Sequence, residues 1–172
     1  MGRFLILVLL ALAVAYFVPA PVAHYDAALE VDASRERVWE ALSDLSQLSR
    51  WNSAVDSTVF LTPQRDGVDT EFRIDGVVTS TLRAERWEPF NSMGFSVRLK
   101  PRLTYDHVLR YSVQYRFTNR TVVRVEEEYR MAGGYLGHLF GVLLFDRMRE
   151  PYRMAALSYL KKLAETGFGL GT

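Results

Sequence analysis

From Tyr25 to Val31 the chain alternates: Tyr25, Ala27, Leu29 and Val31 fall on one side, Asp26, Ala28, Glu30 and Asp32 on the other. That is the period of a strand with one buried face. Ser34 then reads as a helix cap, because Val38, Ala41, Leu42 and Leu45 recur at helical spacing with Arg35, Glu36, Arg37 and Glu40 turned to water. Leu45, Leu48 and Trp51 continue as a second short helix. After it the pattern returns to strands. "VDSTVFLT" and "VDTEFRI" lead into Asp66-Gly67 and Asp75-Gly76 hairpin signals, "VVTSTLRAERWE" runs to Pro89-Phe90-Asn91, and "MGFSVRL" reaches Pro101. "YDHVLRYSVQYRFT" turns at Asn119-Arg120 into "TVVRVEEEYRM", which stops at Gly133-Gly134. Joined by short turns, these make roughly seven strands of an antiparallel sheet.

In "YDHVLRYSVQYRFT" one face carries His107, Leu109, Tyr111, Val113, Tyr115 and Phe117 and the other is polar. A sheet with a single wet face must cover its apolar face. The stretch Gly134 to Glu165 is the long helix left to do it. Its second half is amphipathic, with Met148, Tyr152, Ala155 and Tyr159 as one stripe, Leu160 and Leu163 beside it, and Arg149 and Arg153 among the polar positions. Its first half, "YLGHLFGVLLF", is apolar all round except for His138, and Pro151 is expected to kink the helix or begin another. Gly133, Gly137 and Gly141 recur every fourth residue, which lets the helix approach the sheet or leaves room above a cavity.

Ahead of the first strand lies an uncharged run from Phe4 to Val18, preceded by Arg3 and followed by Pro19 and Pro21. Residues 1–23 are read as a membrane anchor, or alternatively as a cleaved signal segment. The positive charge before the run puts the domain on the non-cytoplasmic side. The expectation is therefore a single-pass membrane protein with an extracytoplasmic domain, or a secreted or periplasmic one after cleavage. Residues 24–166 form the domain, and 167–172 a flexible tail.

Composition narrows the function classes. With 21 Lys plus Arg against 20 Asp plus Glu, the chain lacks the basic excess that phosphate-backbone binding needs, so nucleic acid is not an expected partner. The chain has no cysteine, which removes thiolate catalysis and Cys-based zinc sites. The three histidines have no metal-ligand spacing, so neither a metal nor a cofactor is expected. Aromatics at 13% suit a well-filled or ligand-lined interior.

The stretch "LEVDASRERVWEALSDLSQLSRWNSAV", with its alternating strand, small helix around Val-Trp and closing Trp, and the ending "LSYLKKLAE" resemble the START-like, helix-grip superfamily, in particular its polyketide cyclase and dehydrase branch with an N-terminal membrane segment. The resemblance covers Tyr25 to Glu165. It implies an α+β helix-grip fold: about seven antiparallel strands wrapped around a long C-terminal helix, two short helices after the first strand, and a cavity between sheet and helix for lipids, polyketides or other hydrophobic molecules. Its scaffold hosts both binders and enzymes.

The leading expectation is a binder of a hydrophobic small molecule or lipid, held at a membrane surface by the N-terminal segment, with its mouth beside Tyr135 to Phe145. Its candidate wall is Trp51, Phe72, Trp87, Phe95, Leu109, Tyr111, Tyr115 and Tyr129 from sheet and short helices, with Leu136, Phe140, Leu143 and Leu144 from the apolar segment. The other readings are a cyclase- or dehydrase-type enzyme and an interaction module with a filled core. For the enzyme the acid-base candidates are Glu127, His138 and Tyr111. Alternation puts Glu127 on the inner face with Val123, Val125 and Tyr129, where burial would raise its affinity for a proton unless it is paired; a bulge would turn it out beside Glu126 and Glu128. His107 reads as structural, and His138 as either meeting a carboxylate or facing the cavity.

Overall fold

In the computed structural model, which describes residues 2–117 and 119–166, the first strand, β1 (Ala23–Val31), gives way to helix at Ser34. Ser34 keeps an extended backbone while its side chain accepts the Arg37 N–H at 3.4 Å, capping α2 (Arg35–Ser43). Asp44 caps the following 3-10 turn (Leu45–Gln47), and α3 (Leu48–Trp51) closes the helical insert. Val38, Ala41, Leu42, Leu48 and Trp51 all face the core from these pieces.

The strands β2 (Val55–Phe60), β3 (Glu71–Gly76), β4 (Thr79–Glu88), β5 (Ser92–Lys100), β6 (Thr104–Phe117) and β7 (Arg120–Met131) follow. With β1 they make one seven-stranded antiparallel sheet in the order β1-β7-β6-β5-β4-β3-β2. The first strand thus pairs with the last: Ala23 lies opposite Tyr129 and Val31 opposite Thr121. Along β7, Thr121, Val123, Val125, Glu127, Tyr129 and Met131 are all buried, so the alternation continues through the glutamate and no bulge turns it outward. The irregularity falls on β6 instead, between Tyr105 and Val108, where Asp106 takes a positive φ of 50°. It brings Thr104 and His107 onto the same buried face.

The C-terminal helix crosses the apolar face of this sheet, as the pattern predicts. It winds as α4 (Gly134–Phe140), one π turn over Gly141–Phe145, and α5 (Asp146–Thr166). The second helical section therefore starts at Asp146 and continues through Pro151, rather than starting at the proline. Two of the regularly spaced glycines sit against the end of β7. A Cβ on Gly137 would stand 1.8 Å from the Ala132 carbonyl oxygen, and one on Gly141 would stand 2.7 Å from Met131 Cγ. Further along, Ala156, Leu157, Leu160 and Ala164 are buried against the sheet and the α2–α3 insert. Each leucine so buried contributes about 1.5–3 kcal/mol. The buried stripe is rotated from the one read in the sequence: Met148 and Tyr159 are about half exposed, and Arg149 and Arg153 turn inward.

The N-terminal segment corrects a second expectation. Helix α1 (Gly2–Phe17) has 16 residues, about 24 Å at 1.5 Å per residue, whereas a span needs roughly 20. No described helix is long and apolar enough to cross a membrane, so a single-pass membrane protein, with the membrane as its partner through residues 1–23, is not supported. The segment is instead fastened to the domain. Val18 O accepts the Tyr135 N–H at 3.1 Å, Arg130 Nη1 donates to Ala20 O at 2.7 Å, and Ala20 is fully buried. The tail expected at 167–172 lies outside the described residues.

Candidate functional site

Glu127 sits in the middle of β7 with its side chain under the C-terminal helix, 2% exposed. An isolated carboxylate there would be costly, and it is held by three donors. Oε1 accepts from His107 Nε2 at 2.6 Å and from Arg149 Nη2 at 2.6 Å; Oε2 accepts from Arg153 Nη2 at 2.6 Å. Arg149 and Arg153 stand four apart on α5, so one helix face presents both guanidinium groups to one carboxylate. Burial pushes the Glu127 carboxyl upward, but the His107 hydrogen bond and the Arg149 and Arg153 charges outweigh it and hold the group well below the usual carboxylate range. Glu127 is thus the paired case of the buried carboxylate, and the partners keep it ionised.

An ionised carboxylate only accepts, so His107 Nε2 carries a proton toward Glu127. In the neutral ring Nδ1 is then the acceptor, and the Thr104 hydroxyl lies 3.1 Å from it. The bulge on β6 makes this alignment. On the far side Tyr129 donates to Asp146, which also lies 3.4 Å from Arg153 Nη1. The aromatic rings fix the arginines further. Arg149 lies over Phe145 at 4.9 Å, and Arg153 over Tyr25, the cross-strand neighbour of Glu127, at 4.3 Å.

This cluster forms the polar end of a cavity of about 130 Å³ between the sheet and α5. Its other walls are largely apolar, among them Trp51, Leu82, Leu109, Val125 and Ala156. Tyr111 also lines it, and burial, reinforced by the Glu127 charge, pushes its phenol above the ordinary tyrosine value. Tyr111 is therefore a neutral donor at physiological pH. A smaller space of about 40 Å³ shares Trp51, Leu82 and Tyr111 as walls and extends the lining to Phe72 and Phe95.

Of the residues singled out in the sequence, the structure brings Trp51, Leu109, Tyr111 and Glu127 to the main cavity, and Phe72 and Phe95 to the smaller one. Others stand apart. Trp87 packs edge-on against Trp39 at 5.9 Å, and Tyr129 packs against His107 and Phe145 in a second cluster. Tyr115 is 60% exposed, because the β6–β7 hairpin runs on beyond Ser112, the last β6 residue paired with β5. Phe140, Leu143 and Leu144 are exposed, and no residue from Tyr135 to Phe145, including Leu136, lines either space. His138 lies beside Tyr135, ring centres 6.1 Å apart, away from the cavity. Among the described residues no group of three His, Cys, Asp or Glu is placed to hold a metal ion.

The sequence reading missed Tyr25, Arg149, Tyr152 and Arg153, all of which line the main cavity. The signal available for the arginines was their spacing of four opposite one inward carboxylate.

A family model described as polyketide cyclase / dehydrase and lipid transport matches residues 22–165. No curated protein matches the chain. Among solved structures, the Zhui aromatase/cyclase from Streptomyces sp. R1128 is similar at a TM-score of 0.71 and 15% identity, over 88% of this chain and 100% of that one. Norcoclaurine synthase from Thalictrum flavum, in complex with dopamine and hydroxybenzaldehyde, is similar at a TM-score of 0.66 and 13% identity, over 87% and 90% of the two chains. The XoxI protein from Bacillus cereus gives a TM-score of 0.64 at 14% identity, over 81% and 94%. At these identities the likeness is one of fold.

Proposed function

The chain belongs to the polyketide cyclase / dehydrase and lipid transport family, and on that premise we propose that residues 24–166 bind a hydrophobic small molecule between the sheet and α5. The observation that carries this reading is the cavity itself: mostly apolar walls with convergent polar groups at one end. Its size favours a compact guest. About 130 Å³ is close to the ~150 Å³ that accommodates a single benzene ring. A larger ligand would need the smaller space beyond Tyr111 as well.

The test is native mass spectrometry of the full chain purified without detergent, followed by organic extraction and a panel of one-ring, polycyclic and acyl compounds. A stoichiometric apolar molecule, or saturable binding of one panel class, is expected. Protein that is empty and refuses the whole panel would sink the reading.

A second reading, an enzyme of the cyclase or dehydrase type, is favoured by one observation. Tyr111, a neutral phenol, shares the cavity wall with an ionised Glu127 and two guanidinium groups. In that role Tyr111 would donate a proton and the arginines would stabilise developing negative charge on oxygen. Glu127 is a poor base here, since both its oxygens already accept from charged or ring donors. Turnover of an aromatic-precursor substrate that is lost in Tyr111→Phe while binding persists would favour the enzyme; retained turnover in that variant would count against it.

A further inference from the structure

The polar end of the cavity has more donors than acceptors. Arg149 and Arg153 share one carboxylate, Glu127, and its two oxygens are taken by their Nη2 groups and His107. Arg149 Nη1, Arg153 Nε and Trp51 Nε1 are all buried N–H groups without a partner, and all three residues line the cavity. A buried donor left unpaired is costly, and these three belong to residues that line one cavity, so they call for an acceptor that the protein does not itself provide.

The charges agree. Two guanidinium groups face one carboxylate inside; the second carboxylate, Asp146, reaches only Arg153, accepts the Tyr129 hydroxyl as well, and has a side chain 33% exposed to water. The remaining polar groups here do not offset this. Asn52 accepts the Ala54 N–H, the Tyr25 hydroxyl points to Met154 Sδ at 3.6 Å, and Tyr111, Tyr152 and Ser80 bring hydroxyl groups rather than a second carboxylate. Phe145 and Tyr25 hold the guanidinium planes in place before any ligand arrives, so little ordering remains to be done on binding.

We infer that the cavity takes an apolar molecule of about one-ring size bearing an anionic oxygen group, a carboxylate, held by Arg149 and Arg153 with its apolar body among Leu82, Leu109 and Ala156. This rests on the cavity-binding reading above and specifies the chemical class of its ligand. It excludes cationic ligands, and it ranks a carboxylate above an uncharged molecule of the same shape.

The test is calorimetric titration of the full chain near neutral pH with phenylacetate, phenylacetamide, phenethylamine and ethylbenzene. Phenylacetate is expected to bind at least about tenfold more tightly than the amide, with the amine weakest. Arg149→Met is expected to bring the acid-to-amide ratio close to one, whereas Arg149→Lys keeps a preference for the acid. If the amide or the amine binds as well as the acid while ethylbenzene also binds, the anion assignment is overturned and the cavity reading stands. If nothing binds, ethylbenzene included, the cavity reading falls and takes the assignment with it. Because the comparison among ligands is made on the unaltered protein, misfolding of the Met variant would leave the decision intact.

Discussion

Arg153 Nη2 lies 2.6 Å from Glu127 Oε2, joining the middle of the last strand to the middle of the C-terminal helix. The glutamate side chain is 3% exposed and the arginine side chain 11%, so the pair is screened from water on both sides. Such a pair acts less as added stability than as a constraint: it tolerates the loss of neither partner.

Glu127→Gln is therefore expected to destabilise the fold by about 3–5 kcal/mol, since it leaves two buried guanidinium groups sharing a neutral amide. Arg83, paired with Asp69 where both side chains are more than half exposed, sets the contrast: Arg83→Gln is expected to leave the unfolding midpoint nearly unchanged. Urea unfolding of the two variants beside the parent checks both. Equal midpoint shifts would contradict the assignment of Glu127 as the charge on which the cluster depends.

The same carboxylate governs an acid limb. Its folded-state pKa is depressed below the ordinary value of 4.5, so in acid the unfolded chain takes up this proton first. The stability contributed by the group is thus fully present above the unfolded value and is lost as pH falls below it, toward the depressed folded value. Urea midpoints measured from pH 7 down to pH 3 should show the difference between parent and Glu127→Gln constant at first and narrowing below about pH 4.5. A gap that widens in acid would reverse the sign and rule out an ionised Glu127 in the fold.

Cavity position is testable with bulk. Ala156 is 8% exposed and lines the cavity, whereas Leu143 is 59% exposed and does not. Ala156→Phe is expected to lower the affinity of any cavity ligand at least about tenfold by filling its volume, and Leu143→Trp to leave it within about twofold. Fluorescence titration with a single reporter ligand compares them, and the opposite order would move the site to the exposed segment.

How much of this could be read beforehand follows from where the relevant period is local. The seven strands, Ser34 as a cap and the inward set Val123, Val125 and Tyr129 follow from patterns local to one element, which leave Glu127 open to a bulge that the structure does not have. The inward turn of Arg149 and Arg153 does not. A helix read alone places its charges in water, and only the facing Glu127, supplied by another element, reverses that preference. The apolar run of the N-terminus was misjudged for a related reason: counting apolar residues through Ala23 ignores that the helix stops at Phe17 and that β1 begins at Ala23. Tyr115 shares the inner alternation of β6, but alternation cannot show that the strand outruns its neighbour.

Gly137 offers a check on how closely the helix meets the sheet. Gly137→Ala would drive a methyl into the rigid Ala132 carbonyl and is expected to cost about 1–3 kcal/mol. Gly94→Ala, whose nearest new contact is Arg86 Cβ at 3.4 Å, is expected to cost less than about 1 kcal/mol. Thermal unfolding of the two variants side by side gives the comparison, and a neutral Gly137→Ala would show that the helix start can retreat.

The pairing of β1 with β7 also sets the order of events during synthesis. Ala23 must wait for Tyr129 before it has a hydrogen-bonded neighbour, and the helix that covers both emerges later still. Until then a ribosome-bound chain carries an unpaired first strand and an uncovered apolar sheet face, the features that recruit chaperones and invite aggregation. The domain consequently closes only after β7 and the helix that covers it have been made, and premature termination after β6 leaves a product with no partner for its own beginning.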